Sequence, residues 1–183
     1  MRRFHSRAIT VLAALAALAL AASTLPAAAE DASPAPSVFN GRWVYAGGED
    51  EDRARVRAIE KATEDLSVFK RGTARERLRE RTALPRVLEL GVEGGRVQLS
   101  EDGKEVSLEL GAKPREMQKD GKRGTLAGRL DGEQLVVVAA GKDGTVTTRY
   151  KVAPDRERLT LSVRLDADVL SGPLEYRATY RLK

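Results

Sequence analysis

Residues 145–182 read TVTTRYKVAPDRERLTLSVRLDADVLSGPLEYRATYRL, and three stretches within them alternate. Val146, Thr148, Tyr150 and Val152 face away from Thr145, Thr147, Arg149 and Lys151. Leu159, Leu161, Val163 and Leu165 oppose Arg158, Thr160, Ser162 and Arg164. Tyr176, Ala178, Tyr180 and Leu182 oppose Glu175, Arg177, Thr179 and Arg181. A period of two places alternate residues on opposite faces of an extended chain, so each stretch predicts a strand with one apolar face.

The same period runs back almost to Pro85. Val97 and Leu99 alternate with Arg96, Gln98 and Ser100, and Val106, Leu108 and Leu110 alternate with Glu105, Ser107 and Glu109. Leu126 and Leu130 flank Gly128. Asp102-Gly103, Asp120-Gly121, Asp131-Gly132 and Asp143-Gly144 separate the runs, and such dipeptides supply the positive φ of tight hairpins. Leu135 to Ala140 is apolar on both faces, which predicts a strand covered on its outer side by helices. Residues 113–118, with Pro114, are the least regular member. With residues 42–46 included, the count is nine or ten antiparallel strands. A meander of that length leaves two exposed edges unless it closes, so the fold class expected is mainly β, an antiparallel up-and-down barrel.

One segment breaks the period. From Glu49 the composition turns charged and alanine-rich, and Val56, Ile59, Ala62, Leu66 and Phe69 recur at three and four residues. Gly72 reads as the end of this helix, and Thr73 with Glu76 as a T-x-x-E capping box opening a second one to about Ala83, before Pro85. The expectation is a helix-turn-helix over about 50–83, inserted between the first and second strands. The first strand is then free to pair with the last and close the ring.

The start of the chain reads as a signal peptide, residues 1–29. Arg2, Arg3 and Arg7 precede an apolar run from Ile9 to Ala22, and Pro26-Ala27-Ala28-Ala29 offers a small-x-small cleavage site before Glu30. The apolar run is shorter than the ~20 residues of a spanning helix. A periplasmic or secreted product is expected, with residues 30–38 as a flexible linker and 39–183 as the barrel domain. Those first 29 residues carry three arginines, no acid and the sole histidine, His5, so the rest holds 29 basic against 27 acidic residues. That balance is no footprint for nucleic acid, and none is expected as a partner. With no cysteine in the chain and no histidine beyond residue 29, Ser-His and Cys-His catalysis, disulfides and most zinc sites are excluded. No enzyme activity, metal or cofactor is expected.

Phe39-Asn40-Gly41-Arg42-Trp43 resembles the F-x-G-x-W opening of the calycin superfamily, the lipocalins and fatty-acid-binding proteins. A helix-turn-helix after the first strand, followed by the rest of a ten-strand meander, resembles the fatty-acid-binding proteins more than true lipocalins, and the layout spans residues 39–183. The resemblance implies that Gly41 lets the chain turn into the barrel and Trp43 plugs its closed end. It also implies a carboxylate clamp, R-x-Y on the last strand, which is absent. The nearest arrangement, Arg177 with Tyr180, splits by alternation between the outer and inner faces. The helical hairpin is longer and more charged than a simple lid.

The inward set just given contains no charge. It reads equally as a filled core or as the wall of an apolar cavity with tyrosine hydroxyls to orient a ligand. The cavity reading gives a non-catalytic, exported carrier of a small apolar or amphiphilic, lipid-like ligand, with Tyr150, Tyr176, Tyr180, Leu108, Val137 and Leu161 as lining. The filled reading gives a periplasmic interaction or inhibitor module. Lys70, Arg71, Arg75, Arg77, Arg79 and Arg81 against Glu76 and Glu80 make the second helix, about 73–83, basic. An anionic membrane surface or an acidic partner would dock there. Glu49-Asp50-Glu51-Asp52 reads as acids meeting a helix N-terminus, and Asp166-Ala167-Asp168 as a solvated turn.

Overall fold

A computed structural model describes residues 36–119 and 122–183 of the chain. The expected signal peptide, and the start of the expected linker, lie outside the described residues. The end of that linker, from Pro36, coils as a 3-10 helix, Pro36–Phe39, with Phe39 fully buried. Ten strands follow: β1 Gly41–Tyr45, β2 Val87–Glu93, β3 Arg96–Glu101, β4 Lys104–Glu109, β5 Arg115–Lys119, β6 Lys122–Asp131, β7 Gln134–Gly141, β8 Gly144–Val152, β9 Arg158–Asp166 and β10 Leu174–Leu182. All belong to one antiparallel sheet in the order β4-β3-β2-β1-β10-β9-β8-β7-β6-β5. β1 pairs with β10, Trp43 opposite Leu182 and Tyr45 opposite Tyr180, as the inserted hairpin predicts.

The ring is nearly closed. β4 and β5 do not pair; Leu110 instead bridges to Gly128 on β6, and the Gly111 N–H donates to the Gly128 carbonyl at 2.8 Å. Gly128 permits this approach, because a Cβ there would run into Leu108. The β3–β4 turn uses Asp102 (φ 47°) and Gly103 (φ 83°) as the dipeptide predicts. β6 and β7 turn one residue later than expected, since Asp131 is still paired with Gln134.

Two helices lie between β1 and β2: α1, Gly48–Ala62, and α2, Val68–Arg81. The break falls at residues 63–67, ahead of the predicted site. Gly72 sits inside α2, and Thr73 with Glu76 is therefore no capping box. The reason is tertiary. Thr63 turns its hydroxyl back on the Ile59 carbonyl at 2.8 Å and the Glu60 carbonyl at 3.1 Å, while Arg75 of α2 donates to the Thr63 hydroxyl at 3.0 Å. Arg71 donates to the carbonyls of Glu64 and Leu66 in the turn. The end of α2 is built the same way in reverse: Thr82 donates to the Leu78 carbonyl at 2.7 Å, and Arg55 of α1 donates to the Thr82 hydroxyl at 3.1 Å and approaches the Arg79 carbonyl. Each helix thus supplies a cation to the carbonyl-rich C-terminus of the other, where the helix dipole favours it. Thr63 and Thr82 are both buried.

Two further expectations need correcting. Ile59 and Ala62 are buried against Leu78 and Leu174, but Phe69, the last member of the predicted stripe, is 96% exposed because it belongs to the other helix. β7 is not roofed by a helix; α1 packs along β10. The outward Val136 is nonetheless fully buried, and register sets it between Arg129 and Arg149, whose methylene stems are placed to shield it.

Candidate functional site

Register stacks the inward side chains in rows around the barrel. Nearer the closed end, one row joins Ala178, Leu161, Tyr150, Leu135 and Leu130. At the helical end another joins Leu174, Leu165, Val146, Ala139 and Leu126. These two ends differ sharply in packing.

The closed end is dry. Phe39, Trp43, Leu88, Val97, Leu135, Tyr150, Leu159, Ala178 and Tyr180 are at most 1% exposed. Trp43 donates its indole N–H to the Phe39 carbonyl at 3.0 Å, which satisfies the one polar atom it buries. Gly41, at φ 154° and with Leu182 where a Cβ would stand, has to be glycine for β1 to enter this floor. Tyr180 donates to the Pro85 carbonyl at 3.0 Å and meets Tyr45 edge to face, ring centres 5.6 Å apart.

The helical end is half open. α1 seals its β10 side, where Glu51 accepts from the Thr179 N–H at 2.8 Å and from its hydroxyl at 2.6 Å, and Leu174 is buried beneath Ile59. Beyond that seal Ala139, Val146, Thr148, Leu165 and Tyr176 are only half-buried. A cavity of about 500 Å³ opens there between the end of α2 and the β7–β8 hairpin, lined by Arg81, Arg123, Lys142, Asp143, Val146 and Leu165 among others. Its rim carries three cations and the carboxylate of Asp143, and its floor is apolar.

The six residues read from sequence as lining are all inward and all packed into the barrel core. Tyr150, Tyr180, Leu108, Leu161 and Val137 lie within its closely packed part, and only Tyr176 is partly open. Burial is the largest cause raising each of the three tyrosine hydroxyls, with Tyr176 pushed up to about 12 and Tyr150 and Tyr180 raised well beyond the ordinary range. A second cause common to all three is Glu101. Glu101 shares the inward parity of Val97 and Leu99 at the end of β3, opposite Lys104 on β4. The inward face is therefore not free of charge at its mouth, a point the alternation itself carries and the apolar reading passed over.

Other candidates resolve into structure. Asp166 is held through both oxygens by Arg164, at 2.8 and 2.9 Å. Glu49 and Asp50 pair with Arg53, and Asp52 with Arg55. Arg177 lies on the outer face and Tyr180 inside, so they form no clamp. The sequence reading missed a surface feature as well. Val68 (79% exposed), Phe69 and Val169 (71%) stand out in solvent, and the β9–β10 loop carrying Val169 is tied to the α1–α2 turn through Ser171, whose N–H donates to the Ala62 carbonyl at 3.0 Å.

No protein-family model and no curated protein matches the sequence. Solved structures do match the fold. Apo lipid binding protein 8 of Caenorhabditis elegans aligns over 81% of this chain and 98% of its own, at 9% identity and a TM-score of 0.52. Fatty-acid-binding protein 1 of Echinococcus granulosus aligns over 80% and 98%, at 14% identity and a TM-score of 0.50. A secretory abundant heat soluble protein of Ramazzottius varieornatus aligns over 80% and 96%, at 14% identity and a TM-score of 0.50. At these identities the likeness establishes the fold alone, an antiparallel barrel with two helices after its first strand.

Proposed function

We propose that this barrel is a non-catalytic, exported binding protein that takes a small apolar or amphiphilic ligand into the helical end of its interior. The observation that carries the reading is the half-open apolar row beneath the 500 Å³ cavity, where Val146 and Leu165 floor a rim of Arg81, Arg123 and Lys142. An apolar group entering there covers accessible surface, at about 25 cal/mol for each Å² removed from water, while a polar head stays at the charged rim. Tyr176 is the first tyrosine such a ligand reaches; Tyr150 and Tyr180 form the floor it stands on. The names of two similar structures refer to lipids or fatty acids, and the third to heat solubility, so a shared fold does not choose between them. The mouth geometry has to.

Native mass spectrometry of the mature protein, purified without detergent or delipidation, tests the reading, and the mature N-terminal residue read from the same sample tests export. A discrete extra mass removed by solvent extraction is expected. Leu165→Trp should fill the mouth and abolish uptake of the apolar dye Nile red at unchanged melting temperature. A bare mass together with no dye uptake by the wild type would sink the carrier reading and leave the filled interaction module.

The exposed Val68, Phe69 and Val169 beside the basic helix favour a docking role for the same end of the barrel, with the apolar side chains entering an anionic bilayer and the cations meeting its head groups. This shifts the expected contact from residues 73–83 to the start of α2.

A further inference from the structure

The outer wall of β8, β9 and β10 carries a feature unrelated to the mouth. Register sets Arg149 opposite Ser162, and Ser162 opposite Arg177, with all three on the outward parity. Two strand spacings of about 4.8 Å put the arginine backbones about 10 Å apart, a span that two extended side chains can close over the serine between them. The wall is hollowed at this point into a depression of about 360 Å³, lined by Gln134, Arg149, Ser162, Arg164, Glu175 and Arg177 among others.

Three of the six outward cations of β8, β9 and β10 are already engaged. Arg164 holds Asp166 at 2.8 Å and Glu175 at 2.6 Å, Lys151 holds Glu133 at 3.2 Å, and Arg158 holds Asp155 at 3.0 Å. The same habit governs the opposite wall, where Arg42 holds Glu89 and Arg96 holds Glu109. Arg149 and Arg177 hold no carboxylate among the described residues, and the acid that shares their depression, Glu175, is taken by Arg164. Arg149 is moreover half-buried, which raises the gain from a counter-charge relative to a fully solvated side chain.

We propose that the depression binds a tetrahedral oxyanion, a phosphate or sulfate group, gripped from two sides by Arg149 and Arg177 with the Ser162 hydroxyl donating between them. A guanidinium presents paired N–H donors that match two oxygens of such a group. Two forks and a hydroxyl supply donors from three directions, which suits four tetrahedral oxygens better than the two coplanar oxygens of a carboxylate. The anion can arrive free or as the head group of a larger molecule; the chemistry of the grip is the same.

Titration calorimetry of the full-length mature protein with inorganic phosphate at low salt is expected to give saturable one-site binding. Arg149→Gln and Arg177→Gln should each weaken it about tenfold, and Ser162→Ala less. Arg129→Gln is the control: it removes an arginine from the same wall, with no carboxylate among the described residues and outside the depression, and should leave affinity unchanged. Unsaturable binding in both arms, equal loss in the Arg129 variant, or full affinity after Arg149→Gln and Arg177→Gln would overturn the site. A second arm uses phosphatidylcholine vesicles with and without phosphatidic acid. Phosphatidate-dependent binding that is lost in the Arg149 and Arg177 variants, without a response to inorganic phosphate, assigns the group to a lipid head; the converse assigns it to a free anion.

Discussion

The closed and helical ends of this barrel are built from the same alternating strands, yet one is packed dry and the other stands half open. At the closed end Trp43, Phe39, Tyr150 and Tyr180 crowd one another at exposures of at most 1%. At the helical end several inward residues are smaller (Ala139, Val146, Thr148), and the volume they leave stays half open beside the end of α2 instead of being filled by side chains. Ring volume at one end and short side chains at the other divide the interior into a structural half and a receptive half. A pattern of alternation, being identical in both, does not distinguish them.

Truncation should break the symmetry of the pattern most visibly. Trp43→Ala is expected to cost about 3–5 kcal/mol and Leu159→Ala about 2–5 kcal/mol in denaturant unfolding, whereas Val146→Ala should cost about 1 kcal/mol or less. Equal losses at Leu159 and Val146 would mean that the two ends are packed alike. Alkaline titration sharpens the same contrast. Tyr150, Tyr176 and Tyr180 are raised in the folded state, so the unfolded chain loses their protons first. Their contribution is fully present below the ordinary tyrosine value near 10 and is lost as pH rises from there through about 12 for Tyr176. Phenolate absorbance should therefore stay low past pH 10 and then rise together with loss of native circular dichroism. Independent ionisation of Tyr150 and Tyr180 near pH 10 in the folded protein would show that the closed end is wet.

The reciprocal helix caps provide an intermediate test. Arg55→Met, which removes the donor that reaches from α1 to Thr82, should cost about 1.5–3 kcal/mol and loosen the cap over the mouth, raising the on-rate of an apolar dye. Thr73→Ala, at the site that sequence alone marks as a helix start, should change stability by no more than about 0.5 kcal/mol. Smallest of all in stability is Phe69→Ser, expected within about 0.5 kcal/mol, but it should reduce cosedimentation with vesicles of phosphatidylcholine and phosphatidylglycerol. Undiminished cosedimentation would remove the docking role from the start of α2.

The legibility of these features in the sequence follows from how local their causes are. β8, β9 and β10 were readable because an extended chain converts alternation directly into faces, and Asp102-Gly103 because two consecutive positive φ angles demand such residues. The split of Arg177 from Tyr180 was readable for the same reason. The helix break was not: Gly72 and Thr73 carry the local signals, but Arg75 and Arg71 stabilise an earlier end at Thr63 through contacts that exist only when α1 and α2 lie together. Phe69 was assigned to the wrong helix in consequence.

The sequence by itself determined an antiparallel barrel of nine or ten strands, the helical insertion and the pairing of first strand with last, because periodicity, turn chemistry and edge closure are short-range or topological constraints. Only the tertiary structure decided where the interior is full and where it is open, which cations are engaged and which are left on the outer wall. Those are matters of volume and of counter-charges brought together from distant parts of the chain, such as Arg42 with Glu89, and no window along the sequence contains them.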